Sequence, residues 1–242
     1  MDYFEFIKNN DKTVEELKEY YQSEYPIYYE LWDYGFWKAN DKTGVGPLGR
    51  TGQPKSRCTS VGMAISLYLT AYVHIKKPKS IIEYGSGFTT FLFSTMLEDL
   101  DYGGSLITFE EHEGFYKMAD AIGFYEKMNG NNRVELVPLK FETNSDKKYC
   151  YYDYDLNKID SVDFVFDDGP DLIRYKCNAS MCMLNLKKHF DSSFDFLIDG
   201  RIGQQEYYKS IYGEKVKQSW IGLDKESEFL REDGYMCGIG TL

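Results

Sequence analysis

Five acids and one bare turn are the residues of this chain whose types and spacing can do chemistry. The stretch "SIIEYGSGFTT", residues 80–90, runs from an apolar segment through Glu83 into Gly85-Ser86-Gly87 and then into a helix-like segment. Glycine carries an entropic penalty in a folded chain, so two of them flanking one serine mark a backbone that something approaches closely. The free N–H groups of a helix starting at 88–91 face the same space. Glu110 closes the next apolar run, "SLITFE", while "VDFVFDDGP" carries Asp167 and Asp168 and "FDFLIDGR" carries Asp199. Carboxylates at such points accept hydroxyl or ammonium donors, take a proton, or hold a hard cation.

The turn excludes two common phosphate devices. A G-x-G-x-x-G fingerprint needs a third glycine where this chain has Thr90, and no G-K-[ST] follows for a P-loop. An acid at the second strand end can accept both hydroxyls of a ribose. Glu83, beside the turn, can hold an ammonium group directly or through water. A ligand with an ammonium at one end and a ribose further along is S-adenosylmethionine, and the turn would be bare so that its methionine part can lie there.

These residues need strands to position them. "SIIEY" (80–84), "SLITFE" (105–110), "RVELVPL" (133–139), "VDFVFDD" (162–168) and "FDFLIDG" (194–200) are short and nearly continuous in hydrophobicity, as a sheet covered on both faces requires. Helix-like segments at 88–98, 113–128, 171–188 and 203–211 separate them, with 140–160 reading as a wide, tyrosine-rich loop. The pattern predicts an α/β fold, a Rossmann-like doubly wound sheet of about seven mostly parallel strands. "EKVKQSW" (214–220) and "YMCGIGTL" (235–242) close it as an antiparallel C-terminal pair. Residues 1–79 form a helical, aromatic cap and lid, with helices expected at 13–24 and 61–75 and a glycine-rich loop at 42–54; residues 80–242 form the cofactor-binding domain.

The series "IIEYGSGFTT", "LITFEEHEGFY", "VELVPLK", "YYDYD", "VDFVFDDGP" and "FDFLIDGR" resembles the class I S-adenosylmethionine-dependent methyltransferases over residues 57–221. The later part is similar to a subgroup with a V-D-G-P motif acting on sugars and other small molecules. The resemblance implies that Glu83, Gly85, Ser86 and Gly87 contact the methionine moiety. It puts Glu110 on the ribose and Asp168 beside the transferred methyl, with Asp168 and Asp199 as catalytic acids. It leaves Mg²⁺ as an option through Asp168, Asp199 and Asp167. Two positions depart from the pattern: Asp167 stands where the subgroup is apolar, and Gly200 stands where relatives with the metal carry a second acid.

Composition narrows the partners. A formal net charge of −11 repels nucleic acid and anionic membranes alike, which leaves a small-molecule or glycan acceptor, with an oligomer open. Five cysteines without a CxxC pair read as reduced thiols, and the acidic N-terminus lacks a signal-peptide layout, so a soluble cytoplasmic protein is the expectation. His74 and His189 read as structural. Arg201 reads as an anchor for Asp199 or for an anionic substrate; Arg50, Lys55 and Arg57 read as solvated residues of the glycine-rich loop, with the same anchoring as the alternative. Tyr149, Tyr151, Tyr152 and Tyr154 are expected to line an acceptor pocket with Trp32 and Trp37. The rivals to a methyltransferase are an aminopropyltransferase-like enzyme and a binding module without chemistry.

Overall fold

A computed structural model describes residues 14–39, 62–114, 116–117, 131–222 and 234–242. The loop expected at 42–54 with Arg50, Lys55 and Arg57, most of the helix expected at 113–128, and the Trp37 side chain lie outside the described residues. Helices α1 (Val14–Glu24), α2 (Pro26–Ala39) and α3 (Met63–Lys76) precede β1 (Ser80–Tyr84), α4 (Phe88–Leu100), β2 (Ser105–Glu110) and β3 (Asn132–Leu136). A hairpin of β4 (Leu139–Asn144) and β5 (Lys147–Tyr152) comes next, then β6 (Phe164–Asp167), α5 (Leu172–Tyr175), β7 (Ala179–Ser180) and α6 (Cys182–His189). The chain ends through β8 (Asp195–Ile198), α7 (Ile202–Tyr212), β9 (Val216–Gly222) and β10 (Gly234–Thr241).

Seven strands form one sheet in the order β3-β2-β1-β6-β8-β10-β9. The first five run parallel, and β10 runs antiparallel to both β8 and β9. Strand order reverses between β1 and β6, and in open α/β sheets the carboxyl ends at such a point are where ligands bind. Side-chain alternation sorts the two faces. Ile81, Phe164 and Phe166 pack with α3 and α4, whereas Ile82, Tyr84 and Val165 pack with α6, Tyr208 of α7 and Tyr152 of the hairpin. Helix α3 is buried from Met63 to Val73, all the way round, because α4 and the sheet cover it on one side and Leu17, Tyr21, Tyr28 and Trp32 on the other. One apolar cluster therefore runs unbroken across residue 79. Among the described residues no helix is long and apolar enough to cross a membrane.

Two segments differ from the sequence expectation. Residues 140–160 are not a loop: β4 and β5 pair antiparallel around Ser145-Asp146, with Ser145 at φ 54°, and β5 pairs in parallel with β7 in a second, three-stranded sheet. The alternation that would have announced β4 is missing because almost the whole strand is exposed. The helix expected at 171–188 is broken in two. Lys176 turns left-handed at φ 53°, and Asn178 then caps the backbone of β5 by accepting from the Lys148 N–H at 2.8 Å.

Candidate functional site

At the end of β1, Glu83 lies on the α4 face and is fully buried. Its Oε1 accepts from Thr89 Oγ1 at 2.5 Å, and its Oε2 accepts from Thr90 Oγ1 at 2.6 Å and from Thr108 Oγ1 at 2.7 Å. The Glu83 carboxyl is raised to about 7, chiefly by burial, with the three hydroxyls opposing and the neighbouring Asp168 adding a little. Thr90 Oγ1 in turn accepts the Gly87 N–H at 3.0 Å. Glu83 thus fixes the turn from beneath, through threonine, with hydroxyls on both of its oxygens. Sequence reasoning missed these threonines. Their one signal is Thr108, a polar residue inside an apolar run that the parallel register sets opposite Glu83.

Glu110 closes β2, 3% exposed. Its Oε2 accepts from Ser86 N at 3.1 Å and Ser86 Oγ at 2.6 Å, and its Oε1 accepts from His112 N at 2.7 Å. Burial raises its pKa and Glu111 adds to that, while the three donors oppose. Glu83 and Glu110 therefore sit on adjacent strand ends and hold the same turn, one through Gly87 and the other through Ser86.

The two glycines of the turn have different reasons to be there. Gly85 has φ +88°, and a Cβ on it would come within 2.6 Å of the Asp168 carbonyl oxygen. A Cβ on Gly169 would come within 2.5 Å of Gly85 N, so the two loops meet backbone to backbone. Gly87 has φ 177°, extended backbone open to any residue, and a Cβ there would meet nothing within 4 Å. The fold accounts for Gly85; the space beside Gly87 is open.

The acids of β6 and β8 gather around Arg201. Its Nη2 donates to Asp168 Oδ1 at 2.9 Å and to the Asp168 carbonyl, its Nη1 donates to the Pro170 carbonyl at 3.0 Å, and its Nε lies 3.3 Å from Asp199 Oδ1. Burial holds Asp199 well above the usual carboxylate range, against the pull of Arg201. Asp167 points to the opposite face with Val165, fully buried, and neither of its oxygens has a hydrogen-bond partner. Burial pushes it up to about 7; Arg201, and more weakly the Gly169 N–H and the Gln204 amide, oppose without completing a bond.

With Arg201 seated among them, these oxygens are not available to Mg²⁺. The Oδ1 atoms of Asp168 and Asp199 already face the guanidinium. Among the described residues no group of three or more His, Cys, Asp or Glu side chains is placed to hold a metal ion.

Glu111 accepts from Tyr152 OH at 2.6 Å and from Asp171 N at 2.9 Å, tying the hairpin to the loop after β6. Tyr84, Phe109, Tyr151, Tyr152, Tyr154 and Cys182 line a cavity of about 180 Å³ behind that tie. Trp32 does not join it. It packs with α3 on the other face of the sheet, so it cannot share a pocket with Tyr152. His74 is a packing residue, held between the rings of Tyr25 and Tyr28 at 5.1 Å each.

No family model and no curated protein matches the sequence. Solved structures do. A protein of Klebsiella pneumoniae, provisionally named an O-methyltransferase, superposes with a TM-score of 0.52 at 13% identity, covering 93% of this chain and 96% of its own. Cofactor-bound Rv0187 from MTB gives a TM-score of 0.52 at 11% identity, covering 95% of this chain and 98% of its own. With its strand order and antiparallel closing strand, the chain has the Rossmann-like fold of the class I S-adenosylmethionine-dependent methyltransferases.

Proposed function

We propose that this chain is an S-adenosylmethionine-dependent methyltransferase acting on a hydroxyl oxygen of a small molecule, such as a sugar or glycan intermediate. The observation that carries the reading is Gly87, a glycine on extended backbone whose Cβ would meet nothing within 4 Å, in a turn held between two buried carboxylates. A methionine moiety lying on that turn supplies the missing reason for glycine.

The roles follow from the bonds already described. A carboxylate offers about four acceptor positions, and Glu110 uses three. Rotation of the Ser86 hydroxyl would leave two for a ribose diol. Glu83 would hold the turn in shape through Thr90 rather than meet the ligand first. The cofactor, when bound, supplies an electrophilic methyl on a sulfonium sulfur. Asp168, whose side chain is 29% exposed, is the more accessible of the two proposed catalytic acids and would take the acceptor's hydroxyl proton, with Asp199 behind it.

One observation favours a second reading, a cofactor-binding module without chemistry: Arg201 engages both proposed catalytic acids and so weakens either as a base. Calorimetry with S-adenosylmethionine and S-adenosylhomocysteine tests the site, with binding expected to both. No heat with either would refute the methyltransferase reading. Turnover of the cofactor over a panel of hydroxyl acceptors separates the two readings, because a silent module would bind and never turn over.

A further inference from the structure

Four oxygens converge on one guanidinium where β6 and β8 end. Two are carboxylate oxygens, Asp168 Oδ1 at 2.9 Å and Asp199 Oδ1 at 3.3 Å. Two are backbone carbonyls, those of Asp168 and of Pro170, the latter at 3.0 Å. The Arg201 side chain that receives them is only 25% exposed. Hard divalent cations are bound by this kind of donor set, carboxylate and carbonyl oxygens completed by water. Here the cation among the oxygens is the Arg201 guanidinium. Arg201 is fixed by the chain itself, since it caps the start of α7 two residues after Asp199, and its backbone N–H also reaches Asp199 Oδ1 at 3.3 Å.

We propose that Arg201 is a resident cation, filling the oxygen cage between the β6 and β8 ends that a divalent ion would otherwise occupy, so that binding at this site needs no Mg²⁺. A guanidinium suits the place because its five N–H donors lie in one plane and can serve several oxygens at once. Two carboxylates this close repel one another, and the charge between them holds both in place. Arg201 is a positioning residue in this account. The claim stands whatever reaction the chain performs, so its failure and that of the methyltransferase reading are separable.

The test uses terbium, excited through the protein's tyrosines, together with thermal melting in EDTA, Mg²⁺ or Ca²⁺. The full-length wild type should melt at the same temperature in all three and show no terbium signal that Asp168→Asn removes. Arg201→Ala should bind terbium at least tenfold more tightly than wild type, lose that signal in the Arg201→Ala/Asp168→Asn double variant, and melt higher with Mg²⁺ or Ca²⁺ than in EDTA. Arg201→Lys, which restores a positive charge, should return to the cation-insensitive behaviour. If Arg201→Ala folds only with a divalent cation, the proposal is supported; if it folds in neither condition, Arg201→Gln replaces it with the same expectations. A wild-type terbium signal that Asp168→Asn or Asp199→Asn abolishes would overturn the proposal. So would a folded, charge-removed variant that gains no cation site.

Discussion

Replacing Gly87 by alanine adds one methyl group to a space that is open in the protein, and replacing Gly85 adds the same group to a space that is full. The pair separates a glycine kept for a ligand from a glycine kept for the fold. At Gly85 the backbone is at φ +88°, which costs an L-residue about 1–2 kcal/mol, and the new Cβ would press on the Asp168 carbonyl oxygen at 2.6 Å. Overpacking of that kind adds about 1–3 kcal/mol, so Gly85→Ala should lose about 2–5 kcal/mol. For a chain of this size the melting temperature should fall by roughly 5–15 °C. At Gly87 the conformation is extended and nothing lies within 4 Å, so the stability change should stay within about 1 kcal/mol, the helix N-cap contributing a few tenths. Binding should behave in the opposite way. A methyl group standing where the methionine part must lie should weaken S-adenosylhomocysteine by tenfold or more, about 1.4 kcal/mol at least. Thermal melting and calorimetry on the same two preparations provide both readings. If Gly87→Ala binds as wild type does, the ligand argument for this turn is wrong, and if it melts as low as Gly85→Ala, the account of the fold is wrong too.

Glu110→Ala should weaken cofactor binding by about 1–3 kcal/mol, since a buried charge-assisted acceptor is lost; unchanged calorimetry would remove Glu110 from the ribose site. Thr90→Val removes the hydroxyl that links Gly87 to Glu83 and should cost about 1–3 kcal/mol in chemical denaturation, a loss that an intact melting curve would contradict. Asp167→Asn probes the buried acid without partners. Burial raises the folded-state pKa to about 7, so the folded chain keeps a proton that the unfolded chain releases near 4. Its stabilising contribution is complete below about pH 4 and falls as pH rises to about 7, by about 4 kcal/mol at most. The stability of Asp167→Asn relative to wild type should therefore climb between pH 4 and pH 8, and a flat difference in urea unfolding would refute the assignment.

The alternation of short apolar runs with helical stretches, and an acid closing several of those runs, are local properties, so they were legible in the residues alone. They were enough to anticipate the parallel body of the sheet, the antiparallel β9 and β10, and the adjacency of Glu83 and Glu110. The hairpin of residues 139–152 was not legible, because β4 has almost no buried face to imprint a period of two. The break at Lys176 rests on a left-handed conformation that most side chains avoid, closed by backbone hydrogen bonds from Lys176 N to the Ile173 carbonyl and from Cys177 N to the Leu172 carbonyl.

Tertiary structure alone decided what each polar residue faces. Pleat parity sets Glu83 toward α4, where its two oxygens accept from three threonine hydroxyls. Asp167 and Asp168 are neighbours in the chain, yet alternation sends one into an apolar core and leaves the other with Arg201. The two glycines of the turn read alike, and only the loop from a distant strand, closing on one of them, gave them different physical reasons. A sequence carries the identities of its charges, whereas their energies depend on which atoms the fold brings within a few ångströms.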